Sequence, residues 1–219
     1  MTTTAARSHP PGTGFACEAV PEDTYVGVLR RVAEAVDATG LPWAVIGGIA
    51  AALHGRPRWT YDIDLFVQPH DARAVLDALA GAGFDTEERD EQWLFKAIDQ
   101  GVLVDVIFRA TADIYLDDRM IARVRRREFR GVSLPVVSAE DLVVIKATAF
   151  REHSARHWWD ALGVLIRQDL DWEYLLWRAR HSTRRVASLL LFAQSLDIAV
   201  PAAVGRRITS GGEATGGGT

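Results

Sequence analysis

The feature that most constrains this chain is the run Tyr61-Asp62-Ile63-Asp64-Leu65-Phe66-Val67, strand-like but carrying two aspartates one residue apart. A strand covered on both faces fills such positions with Val and Ile. Side chains alternate across a strand, so Asp62 and Asp64 leave the same face, while Tyr61 and Ile63 point to the other and are expected in the core. Two neighbouring carboxylates repel, and burying them unpaired is costly or forces one to take a proton. A cation between them resolves the conflict, and paired carboxylates with open positions suit Mg²⁺. The competing reading is a solvent-facing strand edge with alternating polar residues, for which D-x-D is a common pattern.

Further features bear on the choice. Gly47-Gly48 ends a strand-like segment and opens a short helix. Glycines there let a phosphate approach the backbone, and a helix N-terminus offers free N–H groups. The segment Gly101–Phe108, GVLVDVIF, buries a lone acid, Asp105. Asp105 is either the partner of a buried arginine or, on a strand beside Asp62 and Asp64, the third carboxylate of a two-metal site.

A net charge of −4 gives no support for nonspecific nucleic-acid or membrane binding. The single cysteine, Cys17, excludes an internal disulfide framework, and a Cys-based zinc site is not expected. The N-terminus lacks the apolar core of a signal peptide, and no apolar run reaches membrane-spanning length. A cytoplasmic protein is expected.

Residues 1–21 and 206–219 read as disordered tails, the second Gly-rich. Between them, apolar spacing predicts a helix from Thr24 to Thr39 and a strand at Trp43–Ile46. A short helix at Ile49–His54, the strand Tyr61–Val67 and a helix over His70–Ala82 follow. Strands are expected at Trp93–Ile98, Leu103–Phe108 and Val132–Val136, the first two joined through Gly101. Ser138 reads as an N-cap, and helices are expected from there to Leu196. The plan is α+β (α/β): a mixed sheet with flanking helices over 22–137, then a helical bundle over 138–205.

Gly47-Gly48, Asp62-Ile63-Asp64 and Asp105 together resemble the G-G/S, D-x-D, D signature of the nucleotidyltransferase (polymerase β-like) superfamily. Arg58-x-Thr60-x-Asp62-Ile63-Asp64 is similar to the pattern of its small bacterial members, the minimal nucleotidyltransferases and AbiEii-type toxin enzymes. The resemblance spans residues 24–196. It implies transfer of a nucleoside monophosphate from an NTP to a hydroxyl, with two Mg²⁺ ions. Asp62 and Asp64 would hold the metals that grip the triphosphate. Asp105 would help bind the second metal and take the acceptor's proton. Gly47, Gly48, Arg58 and Thr60 would line the nucleotide. The acceptor stays open: a tRNA, as for AbiEii-type toxins with an antitoxin partner, a protein hydroxyl, or an aminoglycoside-like small molecule. A noncatalytic nucleotide-binding module is the reading from a different class.

The helical half carries its own resemblance, to a Lys after an E-D-L helix start, an Arg, then an R-x-W-x-D block: here Lys146, Arg151, Arg156, Trp158 or Trp159, and Asp160. Lys146 either aims at the triphosphate or snorkels from a helix surface. Asp160 either orients Lys146 or Arg151, touches the nucleotide, or pairs with Arg156 one helical turn away. His157 is expected to be structural or exposed. Trp158, Trp159, Trp172 and Trp177 are expected in the core or between packed elements. Arg119, Arg123, Arg125, Arg126, Arg127 and Arg130 form either a solvated helix face or an RNA-binding acceptor surface.

Overall fold

The computed structural model describes residues 20–151, 154–167 and 169–210. Cys17, nearly all of the expected N-terminal tail and residues 211–219 lie outside them. Seven strands form one mixed sheet: β1 (Trp43–Val45), β2 (Asp62–Val67), β3 (Asp85–Asp90), β4 (Leu94–Asp99), β5 (Val102–Ile107), β6 (Arg125–Phe129) and β7 (Val132–Val136). Their order is β3-β4-β5-β2-β1-β7-β6. The helices among the described residues are α1 (Glu22–Asp37), α2 (Gly47–Leu53), α3 (Ala72–Gly81), α4 (Asp118–Ile121), α5 (Ala139–Ala149), α6 (Arg156–Arg167), α7 (Trp172–Arg178), α8 (Thr183–Ser195) and α9 (Ala202–Ser210). The expected mixed sheet followed by helices is therefore observed. Helix α9 continues past residue 205, where the Gly-rich tail was expected to start. None of these helices is long and apolar enough to cross a membrane.

The interior strands follow from apolar content. Ile63, Leu65, Val104 and Val106 have no exposed surface, and neither do Val28, Leu29, Val32 and Val36 on the inner stripe of α1. Two of the sheet's three hairpins, β4–β5 and β6–β7, turn on two residues with positive φ, Gln100-Gly101 (φ 48 and 79) and Arg130-Gly131 (φ 52 and 75). Such turns match the right-handed twist of antiparallel strands and place a glycine where a side chain is least tolerated.

The two outermost strands were not legible from apolar patterning. In β3, Asp85-Thr-Glu-Glu-Arg-Asp90 is almost wholly exposed, and so is most of β6. They exist because β4 and β7 offer ladders to pair with, and their charges blunt the sheet's edges against further pairing. The arginine run is thus corrected: it is not one helix face. Only Asp118–Ile121 is helical, and Arg125, Arg126 and Arg127 alternate along β6. Arg126 pairs with Asp37 on α1, whereas Arg127 faces His54 at the end of α2, so the run is divided between the two faces of the sheet. Tyr61 also departs from expectation: it precedes β2 and is 50% exposed, while Ile63 is buried as expected.

Ser138 caps α5 as its sequence indicates, accepting a hydrogen bond from the Asp141 N–H at 3.2 Å. Every residue from Ala139 to Thr148 is buried, which makes α5 the central helix beneath the sheet. A buried cluster ties it to α4 and α7. The Arg178 guanidinium, fully enclosed, donates to both oxygens of Asp117 and pairs with Asp141 at 2.8 Å, and the Tyr174 hydroxyl donates to Asp141. Of the tryptophans, Trp158 packs against Phe150 and Phe192, and Trp172 packs on the core. Trp177 lies under Arg119 and Arg180. Trp159, expected to be covered, is instead 48% exposed.

Candidate active site

Strand register builds the site. In β2, Asp62 and Asp64 point to the face covered by α2, α5 and α6. The parallel pairing of β2 with β5 sets Asp105 directly beside Asp64. The antiparallel pairing of β1 with β2 sets Val45 against Leu65, so the chain leaves β1 next to Asp64; the Ile46 N–H donates to the Asp64 carbonyl at 3.0 Å. Gly47 and Gly48 therefore lie against that carboxylate. Gly47 has φ +62, and a Cβ there would sit 1.6 Å from Asp64 Oδ2; a Cβ on Gly48 would sit 2.3 Å from Thr60 Oγ1. Both positions require glycine for room, and Gly47 also for its backbone conformation. Gly47→Ala is expected to destabilise the fold by about 1–3 kcal/mol and to displace Asp64. Denaturant unfolding checks the first effect, and unchanged stability would show that the turn has another conformation open to it.

The three acids have different partners. Asp62 accepts a hydrogen bond from the Thr60 hydroxyl at 2.6 Å. Asp64 accepts one from the Gly48 backbone, yet burial, then the charge of Asp62, push its carboxyl up from 3.8 to about 7. Asp105 is bound by Lys96, whose ammonium lies 2.6 Å from Oδ1. The partner of Asp105 is thus a lysine on the adjacent strand rather than the buried arginine weighed from sequence. Burial raises the Asp105 carboxyl and Lys96 opposes the rise. Among the described residues, no group of three or more His, Cys, Asp or Glu side chains is arranged to hold a metal ion.

A second cluster faces these acids. Asp160, fully buried, receives Arg58 through two hydrogen bonds, Nε to Oδ1 and Nη2 to Oδ2, both 2.9 Å. Lys146 Nζ is 3.0 Å from Asp160 Oδ2. Lys146 does not snorkel: its side chain is 4% exposed. Of the partners weighed from sequence, Asp160 thus takes Lys146, and it adds Arg58; no contact of Asp160 with Arg156 or Arg151 is seen among the described residues. Thr60, likewise, is buried and turned to Asp62. Arg151 bonds the carbonyls of Thr148 and Phe150. Arg56 is a more distant neighbour of Asp160, at 3.9 Å. Two close cations share one carboxylate, so the trio of Arg58, Lys146 and Asp160 keeps a surplus of positive charge.

Acids and cations meet in one cavity of about 300 Å³, lined by Gly47, Gly48, Arg58, Asp62, Asp64, Asp105 and Lys146 among others. Sequence reasoning missed several of its features. Lys96 reaches Asp105. The Tyr25 hydroxyl donates to the Asp62 carbonyl at 3.2 Å. Trp93, Arg109 and Arg156 line the wall, and so does His157. Burial, then the charges of Lys146 and Arg156, lower the His157 imidazole to about 4, so it is neutral at physiological pH.

A family model described as "Nucleotidyl transferase of unknown function (DUF2204)" matches residues 25–176. The chain belongs to that family of nucleotidyl transferases. No match was found among curated proteins. Among solved structures, the chain is similar to the antibiotic-resistance factor ANT(2'')-Ia in solution, at 18% identity and TM-score 0.52, covering 77% of this chain and 96% of that one. The same factor in complex with adenylyl-2''-tobramycin matches at 19% identity and TM-score 0.50, over 74% and 98%. An antigenic nucleotidyltransferase-like protein from Paracoccidioides brasiliensis matches at 15% identity and TM-score 0.50, over 78% and 87%.

Proposed function

We propose that this cavity transfers a nucleoside monophosphate from a nucleoside triphosphate to a hydroxyl acceptor, with Mg²⁺ held by Asp62 and Asp64. The observation that carries the reading is the register that sets Asp62, Asp64 and Asp105 beside Gly47-Gly48 and opposite the Lys146–Asp160–Arg58 trio. The donor set fits the ion. Two hard carboxylates share one face, and the raised Asp64 carboxyl marks a place short of positive charge. Bound there, Mg²⁺ would supply charge neutralisation at the triphosphate.

The remaining work falls to the chain's own residues. Lys146 and Arg58, fixed by Asp160, present positive charge to the triphosphate. Gly47 and Gly48 keep side chains out of its path. Asp105 takes the proton of the acceptor hydroxyl. The acceptor oxygen bonds to the α-phosphorus, the bond from that phosphorus to the bridging oxygen breaks, and pyrophosphate leaves with the electron pair.

For the acceptor, we favour a small hydroxylated molecule. The arginine run that suggested RNA is engaged within the chain: Arg119 stacks on Trp177, Arg123 binds Asp171, and Arg125 binds backbone carbonyls. Arg126 binds Asp37, Arg127 contacts His54, and Arg130 pairs with Glu22 and covers Trp59. One of the similar structures holds an adenylylated aminoglycoside. A tRNA acceptor with an antitoxin partner is the competing outcome of the labelling experiment described below.

Calorimetric titration of each NTP with and without Mg²⁺ tests the nucleotide site. Binding is expected to require Mg²⁺, and Lys146→Met is expected to weaken it roughly tenfold to a hundredfold, because a charge-assisted contact is lost. Equal binding without metal would favour a noncatalytic module. Unchanged affinity in Lys146→Met would remove Lys146 from the nucleotide site.

A further inference from the structure

Lys96 stands where the sheet's register gives it one neighbour of consequence. The Gln100-Gly101 turn pairs β4 with β5 so that Lys96 lies directly across from Asp105, and Asp105 in turn lies beside Asp64. One row across three strands thus reads Lys96, Asp105, Asp64. The ammonium is 2.6 Å from Asp105 Oδ1, within an ion pair whose side chains are 25% and 18% exposed. A lysine so placed is a fixed monovalent cation on the carboxylate that a two-metal site would use to hold its second ion. An ammonium and a divalent cation repel at such distances, and both seek the same lone pairs.

We propose that the Lys96 ammonium takes the place of the second metal ion, so that the chain binds one divalent ion, on Asp62 and Asp64, and leaves Asp105 free of metal. Lys96 is then a positioning residue. It holds Asp105 as a carboxylate aimed by one oxygen, ready to take the acceptor's proton with the other. The inference rests on the reading of Asp62 and Asp64 as the metal pair, and it puts one ion where the resemblance implies two.

The test counts bound Mn²⁺ by electron paramagnetic resonance on the full chain, saturated with the α,β-methylene analogue of whichever nucleoside triphosphate binds. The wild type is expected to hold one ion. Asp105→Asn is expected still to hold one ion, and Lys96→Arg, which keeps the charge, also one. Lys96→Met, which keeps the length and loses the charge, is expected to hold two. Two ions in the wild type, with one lost in Asp105→Asn, would overturn the role of Lys96 and leave the metal reading of Asp62 and Asp64 standing. No bound ion in any variant would overturn both. One ion in Lys96→Met would show that the ammonium does not exclude a metal and would overturn the proposal alone. Far-ultraviolet circular dichroism on each variant confirms that the count is made on folded protein.

Discussion

Asp64→Asn is expected to reduce nucleotidyl transfer by roughly a thousandfold or more while making the metal-free protein more stable at neutral pH. The two effects share a cause. Asp64 sits in a crowded place beside Asp62, and its carboxyl rises from 3.8 to about 7 on folding. The folded chain therefore holds a proton that the unfolded chain releases. Between those two values stability falls as pH rises, and above the folded value the whole penalty is present. Asparagine keeps the shape and an oxygen for the Gly48 N–H but removes the charge. In metal-free buffer, the melting temperature of Asp64→Asn should exceed that of the wild type at about pH 8 and converge with it by about pH 4. A lower melting temperature at the higher pH would mean that the carboxylate is stabilised by groups other than those seen here.

Asp160→Ala is expected to have the largest effect on the fold, a loss of about 3–5 kcal/mol, together with loss of nucleotide binding. Its carboxylate is the shared anchor of Arg58 and Lys146, and removing it leaves the buried Lys146 ammonium without the anion that compensates it. Burial alone would raise the Asp160 carboxyl, but the Arg58 hydrogen bonds and the Lys146 charge hold it below the ordinary range. A lowered carboxylate contributes stability above its unfolded value and loses it as pH falls through the folded one, so the wild type should weaken in acid by this route and Asp160→Ala should not. Urea unfolding of both proteins measures the difference. A loss below about 1 kcal/mol would mean that water reaches the trio and screens it.

What could be read from the sequence divides by range. The D-x-D strand, the Gly47-Gly48 turn and the Ser138 cap are local patterns whose chemistry is complete within a few residues. The partners of Asp160 were not readable in the same way. Arg58 lies 102 residues away from it, and a neighbour at helical spacing, Arg156, offered a local alternative that the fold does not use. Edge strands β3 and β6 carry no apolar period because nearly all of their side chains are exposed, so only their pairing defines them. Lys96 is the instructive case. A two-residue turn at Gln100-Gly101 already sets Lys96 across from Asp105, and a lysine amid Leu94, Phe95, Ala97 and Ile98 is as unusual as an aspartate amid valines. Counting back from the turn would have found it.

Following the two ends of the triphosphate tests whether Asp62 and Asp64 support transfer of a nucleoside monophosphate. Purified protein is incubated with each NTP labelled at the α- or γ-phosphorus, with Mg²⁺ and in turn with an aminoglycoside mixture, total tRNA and cell lysate, beside Asp64→Asn. The α-label is expected to become covalently attached to one acceptor and the γ-label to appear in pyrophosphate, and both signals are expected to vanish in Asp64→Asn. Label on a small molecule would fix the acceptor class proposed here, and label on tRNA would replace it. Transfer of γ-label to an acceptor, or α-label transfer that persists in Asp64→Asn, would rule out nucleotidyl transfer at Asp62 and Asp64.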